Sequence, residues 1–492
     1  MPVRDSLLRV GLLGAAGIAL GVTAACSLGP TGTPPAMPEP AHYGAETQAA
    51  RTVNAQGVAQ RFVMGAQPVP QWWKLYRCDA LDALVDEGLR NSPTLAAADK
   101  TLAAAREQLR AQLGNSLLPA IDAGAQVSRQ RALAIPEIGP NTFQYNVFVG
   151  QLQAQYTFDL FGAVRYANAA LAQRVDLQAF QFDAARRALA ANIVSAALSA
   201  ATLDARVAAT TRLVTLANQQ AADVQRRYTL GAVAHSDLLS AQQSAASTAA
   251  SLPELRQQAL ATRHALAVLL GRTPDQAPPA LELAQLHLPD EVPVVVPSEL
   301  LQARPDIQAA DAALKAAAAD VGVATAQLFP SITLNASMGQ GGFSWPLALS
   351  GAGTLWSIAG SLSAPIFHGG ALLAQRRAAL ATYDATASQY KQTVLTAFQN
   401  VADTLAALEH DAQSLDAASA AARVAQQAFD EASARQRLGA LPPSAVRASE
   451  QQWQNARLEQ IRYTGARLAD TAALFQAMGN PLQDGAAHVA GQ

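Results

Sequence analysis

The sequence has little of what makes small folds rigid or sites reactive. Its 492 residues include 2 cysteines, which excludes a disulfide scaffold and a cysteine-built zinc cluster. Charged residues make up 15%, and 35 Lys plus Arg against 37 Asp plus Glu leave a net charge of −2. No field of one sign exists to hold a polyanion, so nucleic acid is excluded as a partner. The H-E-x-x-H, C-x-x-C, G-x-S-x-G and G-x-x-x-x-G-K-[ST] patterns are absent, and the 7 histidines are scattered. That removes the common sequence signatures of enzymes. Gly339, Gly341 and Gly342 follow a strand pattern without opening a helix and read as a loop, not a phosphate cradle. The expectation is a non-enzyme with no soluble cofactor. What is abundant is apolar residues, 50% of the chain and largely alanine, a composition suited to long helices in close contact or walls that touch lipid.

The one long apolar run is Val10 to Ala25, preceded by Arg4 and Arg9. At about 1.5 Å per residue it reaches about 24 Å as a helix, short of the roughly 30 Å hydrocarbon core, so residues 1–25 read as an export signal. Thr23-Ala24-Ala25-Cys26 resembles the lipobox of bacterial lipoproteins, with Thr23 where leucine is usual. That resemblance implies a covalent lipid on Cys26, and Ser27 in place of aspartate implies outer-membrane sorting. Cys78 then has no intramolecular partner and reads as a buried spectator. Ser27 to Gly44 is rich in Pro, Gly and Thr and cannot propagate a helix, so residues 26–64 read as a lipidated tether.

Beyond the tether the chain is written twice. Pro93 and Asp99 pair with Pro305 and Asp311 at an offset of 212, and Leu118-Pro119 with Phe329-Pro330 at 211. Gly231 pairs with Gly439 and Gly271 with Gly479, both at 208. A period this long is one structural half duplicated, not a solenoid. The first repeat is placed at 65–275: a helix, a strand pair at 119–162, a long helix at 163–230, a tip turn and a helix at 236–271. A linker at 276–298 leads to the second repeat at 299–480: a helix, a strand pair at 330–368, a long helix at 371–438, a tip turn and a helix at 445–478. Residues 481–492 form a C-terminal tail.

Periodicity assigns the elements. Leu380, Ala387, Val394, Val401, Leu408 and Leu415 recur every seven positions, a coiled-coil seam, and no proline interrupts 163–230 or 371–438. Each run would be about 100 Å of helix. Between the helices the period becomes two. Ile121, Ala123, Ala125 and Val127 alternate with polar or small residues, as do Leu152, Ala154, Tyr156 and Phe158. Tyr145, Val147 and Val149 are out of step, so Gly150 is expected to mark a bulge. Ile332 to Met338 and Trp356 to Ala364 repeat the device. No other element can cover four apolar strand faces, but lipid can. Four strands cannot close a barrel, and open edges in a bilayer cost several kcal/mol per unpaired group, so copies of the chain must share one.

A lipobox, duplicated halves, paired strands, and turns at Arg226 to Ser236 and Arg435 to Ser444 resemble the TolC family of outer-membrane efflux proteins, near its OprM and NodT-type lipoprotein branch. The resemblance covers about residues 65–480. It implies a mixed α/β membrane protein: a trimeric outer-membrane β-barrel with four strands per protomer, above a periplasmic α-helical coiled-coil barrel. Its implied work is passive export in a tripartite system. The implied partners are a homotrimer, a periplasmic membrane-fusion adaptor, an inner-membrane pump of the resistance-nodulation-division class and outer-membrane lipid. Leu230, Gly231, Ala232, Leu438, Gly439 and Ala440 match tips that dock the adaptor. Asp237 matches an aspartate that holds the aperture closed, with Arg226, Arg227 or a neighbouring protomer as partners. After Gly439 the matching positions are Ala445 and Ala448, so the family's acidic ring does not carry over. A duct for secreted polypeptides and a non-conducting coiled-coil scaffold of the envelope are the alternatives.

Overall fold

The computed structural model describes residues 29–38, 40, 42–44, 49–66, 68–133, 142–480 and 482. The export signal, Cys26 and nearly all of the C-terminal tail lie outside the described residues. In chain order the elements are β1 (Arg61–Met64), α1 (Asp79–Asn91), α2 (Pro93–Leu117), β2 (Ala120–Leu133), β3 (Thr142–Phe158), α3 (Ala163–Thr229) and α4 (His235–Leu269). After these come β4 (Glu291–Val294), α5 (Pro297–Ala303), α6 (Pro305–Ala326), β5 (Ser331–Gly342), α7 (Trp345–Ala348), β6 (Thr354–Ser363), α8 (Ala371–Arg437) and α9 (Pro443–Ala477). The bounds of α3 and α8, and of α4 and α9, repeat at an offset of 208; α3 and α8 have 67 residues each, α4 and α9 have 35 each.

Contacts divide the chain into two compact units. One contains Leu102–Gln178, Ala309–Tyr390 and the N-terminal segment as far as Pro35. Its centre is a four-stranded antiparallel sheet of order β2-β3-β5-β6. Where β3 gives way to α3, the Asp159 carboxylate accepts from the backbone N–H groups of Val164 (3.0 Å) and Arg165 (2.9 Å). This satisfies donors that a helix start leaves unpaired. Phe161 stacks on Phe329 with centroids 4.9 Å apart, pinning the two junctions to each other. Arg174 pairs with Asp320 at 2.7 Å, tying α3 to α6. Gly322 is required on α6, because a Cβ there would lie 2.5 Å from the Tyr166 ring.

The other unit contains Ala36–Thr101, Ala179–Gln308 and Lys391–Gln492. Its core is built from the long helices. Ile193, Leu198 and Leu216 on α3, and Val394, Val401, Leu408 and Leu415 on α8, are all but inaccessible to solvent. The last four are the seven-residue seam itself. A stretch of α3 is apolar enough to cross a membrane by length and composition, but half of it is buried within the protein, as in a packed core helix. Trp72 stacks on Phe475 at 5.2 Å, and the Tyr76 hydroxyl donates to the Leu468 carbonyl at 2.7 Å. Cys78 is buried with a free thiol at the start of α1.

Two expectations are corrected. Gly150 is not a bulge: β2 and β3 pair without interruption from Ala120↔Gln155 to Leu133↔Thr142, with Ala125 opposite Gly150. The phase change arises because the apolar residues move from one face of β3 to the other, with no inserted residue. Gly339, Gly341 and Gly342 belong to β5, not to a loop. Gly339 is glycine because a Cβ would lie 2.2 Å from the Gly150 carbonyl oxygen, so the strands could not approach.

Candidate functional site: a one-sided sheet and two helical turns

Residues paired across neighbouring strands share a face. Register therefore gives the sheet's two surfaces row by row. One row is Ile121, Ala154, Ala336 and Ile358, and the next on that face is Ala123, Leu152, Met338 and Trp356. Between them, on the opposite face, lies the row Asp122, Gln153, Ser337 and Ser357. There the Ser337 and Ser357 hydroxyls meet at 2.9 Å, and Thr157 and Thr333 lie 3.4 Å apart. The apolar face is bare: Trp356 is 74% and Ile358 70% exposed. On β3 it runs from Phe148 to Phe158, which at about 3.4 Å per residue and the usual barrel tilt spans about 25 Å of height, the thickness of an outer-membrane apolar band. Among the described residues the outer edges of β2 and β6 have no strand partner.

The two turns close in the same way. The Gly231 N–H bonds the Tyr228 carbonyl at 2.8 Å and the Ala232 N–H reaches back to Arg227 at 2.8 Å; Gly439 and Ala440 bond Gln436 and Arg435 at 2.8 and 2.9 Å. This pair of bonds needs a left-handed residue, and Gly231 and Gly439 have φ of 71° and 75°. Ending α3 and α8 this way leaves Leu230 82% and Leu438 84% exposed. The turns then part company. Asp237 Oδ2 accepts from the Ala234 N–H at 3.3 Å, capping α4, whereas α9 starts on Pro443 and has no acid in its first turn.

Among the described residues Asp237 has no ion pair, and Arg226 is bound to Asp223 one turn earlier on α3. Asp223 also binds Arg447 of α9, so one carboxylate joins the first turn to the second. Asp223 and Arg447 carried no sequence signal beyond an ordinary i, i+3 pair. Phe429 stacks on Trp453 at 5.4 Å and fastens α8 to α9.

The same unit holds a polar centre that sequence reasoning missed. Arg467 on α9 is fully buried, and donates to Gln60 Oε1 (3.0 Å), Thr52 Oγ1 (3.1 Å) and the carbonyls of Val58 (3.2 Å) and Ala55 (3.4 Å). Burial lowers the guanidinium to about 10, opposed by the charge of Asp411. Burial, a hydrogen bond to Asp470 and the charge of Asp470 push Asp411 up to about 7, with Arg467 acting the other way. Burial and a neighbouring carboxyl both favour the protonated form of Asp411.

A one-sided sheet of two hairpins, each leading into one of two duplicated 67-residue helices, meets its match in known proteins: the outer membrane efflux protein family aligns with residues 84–272 and 296–480. The chain belongs to that family. The outer membrane protein OprJ of Pseudomonas aeruginosa is 32% identical over 398 residues, 78% of each chain. The pyoverdine export outer membrane protein OpmQ of Pseudomonas putida is 30% identical over 434 residues, 85% of this chain and 89% of its own. A crystal structure of a Pseudomonas aeruginosa membrane protein superposes with a TM-score of 0.77 at 28% identity, covering 92% of this chain and all of that one. The CmeC outer membrane channel of Campylobacter jejuni shares the fold, with a TM-score of 0.80 over 94% of this chain and 96% of its own, at 22% identity. As an efflux family member the chain is an outer-membrane channel component, and its family consists of channels, not enzymes.

Proposed function

We propose that three copies join β2 of one to β6 of the next, closing a twelve-stranded barrel that empties a periplasmic helical tunnel to the exterior. The observation that carries this reading is the sheet: one bare apolar face, one polar face and two open edges. Pairing those edges satisfies the backbone that lipid cannot, and turns the row of Asp122, Gln153, Ser337 and Ser357 toward a wet lumen. Asp122 is the one acidic residue on the four strands of the antiparallel sheet, so the lumen is lightly charged, which suits uncharged or mixed small-molecule cargo. OpmQ is named for pyoverdine and a TtgC relative for toluene efflux; small exported molecules of that kind are the proposed cargo here.

The exposed leucines of the two turns supply a repeated apolar contact for a periplasmic adaptor, through which an inner-membrane pump of the resistance-nodulation-division class delivers cargo. Gly231 and Gly439 set the shape of that contact, and Asp237, with Arg226 and Arg227 nearby in the chain, is proposed to meet a neighbouring protomer across the aperture. A lipid on Cys26 fits the path of the N-terminal segment. A Cβ at Gly32 would touch Lys315 and Ala318, and one at Gly29 would lie 3.1 Å from the Ala318 oxygen and the Gly322 nitrogen. The segment thus approaches the sheet end of α6 on the way back toward Cys26, and three residues reach at most about 11 Å further.

Planar-bilayer recording of the purified protein tests the reading. Steady conductance, together with drug hypersensitivity of a deletion strain, is expected. No conductance from membrane-inserted protein would favour a scaffold, and lost protein export with unchanged drug sensitivity would favour a polypeptide duct.

A further inference from the structure

The four strands of the antiparallel sheet carry only three charged residues, Asp122, Arg129 and Arg131, and register separates them. Asp122 lies in the polar row. Arg129 and Arg131 lie an even number of residues from Val127, on the apolar face, where Arg129 pairs with Asn146 and Arg131 with Gln144. They occupy the rows immediately beyond Val127 and Phe148, the last apolar pair of β2 and β3. Two residues of strand are about 7 Å, so at barrel tilt the guanidinium groups stand about 5 and 10 Å above the apolar band. They are at the hairpin end of the sheet, away from the long helices.

Neither arginine has a carboxylate among the described residues. Arg129 Nη2 donates to Gln144 Oε1 at 3.3 Å and Arg131 Nε to Thr142 Oγ1 at 3.0 Å, both neutral acceptors on the same face. Each contact uses one donor of its guanidinium among the described residues. An arginine pair with no acid partner among the described residues, on a lipid-facing surface just above the hydrocarbon, is matched to phosphate: guanidinium binds phosphate oxygens with paired, charge-assisted hydrogen bonds, strengthened at a low-dielectric boundary.

We infer that Arg129 and Arg131 form a binding site for the phosphate groups of an outer-leaflet phosphoglycolipid, holding the barrel at its proper height in an asymmetric membrane. The inference rests on the barrel reading above, because only a barrel turns this face to lipid. The acyl chains of such a lipid would lie on the exposed Val127 and Leu152 below, beside Phe148 and the Trp345 ring packed on it at 4.5 Å, so headgroup and tails are met by one continuous surface.

The test uses the full-length protein in phosphatidylcholine vesicles containing diphosphoryl lipid A, with the retained glycolipid and the copy number read by native mass spectrometry on release into detergent. Wild type is expected to retain lipid A. R129A/R131A should remain trimeric and lose about tenfold or more of that retention, with R129K/R131K intermediate. Dephosphorylated lipid A should bind equally poorly to wild type and to the alanine variant, and millimolar inorganic phosphate should not displace diphosphoryl lipid A. Trimers of R129A/R131A that retain lipid A as wild type does would overturn the inference alone, as would free phosphate displacing the lipid. A monomeric wild type would instead remove the barrel, and this site with it.

Discussion

Ala259 and Arg467 hold the same place in the two halves, 208 residues apart, and both are buried, at 2% and 0% exposure. A duplicated fold has thus exchanged a methyl group for a guanidinium at a fixed core position. The difference is what the second half has to hold: Arg467 gathers Thr52, Ala55, Val58 and Gln60, the segment that leads into β1, onto α9.

Arg467→Ala should therefore release residues 49–60 and destabilise the protein by about 3 kcal/mol, since Gln60, Thr52 and the carbonyls of Ala55 and Val58 would lose a charged donor. Thermal melting together with limited proteolysis reads both effects. A cut within 49–60 is expected in the variant and not in wild type.

Asp411 gives a pH signature. Its folded pKa of about 7 lies above the ordinary 3.8, so between those values the folded state binds more protons than the unfolded state, and stability falls as pH rises. The loss should be complete just above pH 7. Asp411→Asn, which keeps the shape and removes the ionisation, should flatten this dependence and raise the melting temperature at pH 8. A melting series from pH 4 to 8 on both proteins checks it.

The sheet's faces were legible because strand period and pairing make every apolar residue of a row commit to one side: Ile121, Ala154, Ala336 and Ile358 already alternate in sequence. The heptad through Val394 to Leu415 was legible for the same reason, repetition. What lacked repetition was hidden. The parallel pairing of β1 with β4, Arg61 to Met64 against Glu291 to Val294, joins two four-residue strands, too short to show a period, one inside the stretch read as a tether and the other inside the stretch read as a linker. Arg467 could be found only by aligning the halves and noticing a charge opposite a buried alanine. The link from Asp223 to Arg447 joins different halves, so no local spacing announces it.

The two faces of the sheet should answer oppositely to charge. Ile358→Arg, at the centre of the apolar band, should cost about 2–4 kcal/mol of membrane stability, whereas Ser357→Arg on the opposite face should cost less than about 1 kcal/mol and alter conductance instead. Urea titrations of barrels folded into vesicles, with single-channel recording, separate the outcomes.

At the turns, Gly231→Pro and Gly439→Pro remove both the left-handed conformation and a backbone donor. Leu230→Asp and Leu438→Asp leave the backbone alone and remove the apolar contact. Both pairs should leave the protein assembled in the membrane, and both should reduce adaptor affinity and drug resistance, by about tenfold or more for the paired leucine variant. Normal resistance in the leucine variant would remove the turns from the docking surface.

Cys26→Ser should abolish incorporation of labelled palmitate and leave assembly intact, because the strands themselves hold the membrane. Label persisting in the variant would place the lipid elsewhere.

The claim on which the rest depends is that β2 and β6 find their partners on other copies. Native mass spectrometry of the wild-type protein extracted in mild detergent measures this directly. Three protomer masses in one complex are predicted, and a stable single-chain species with no higher assembly would contradict the account.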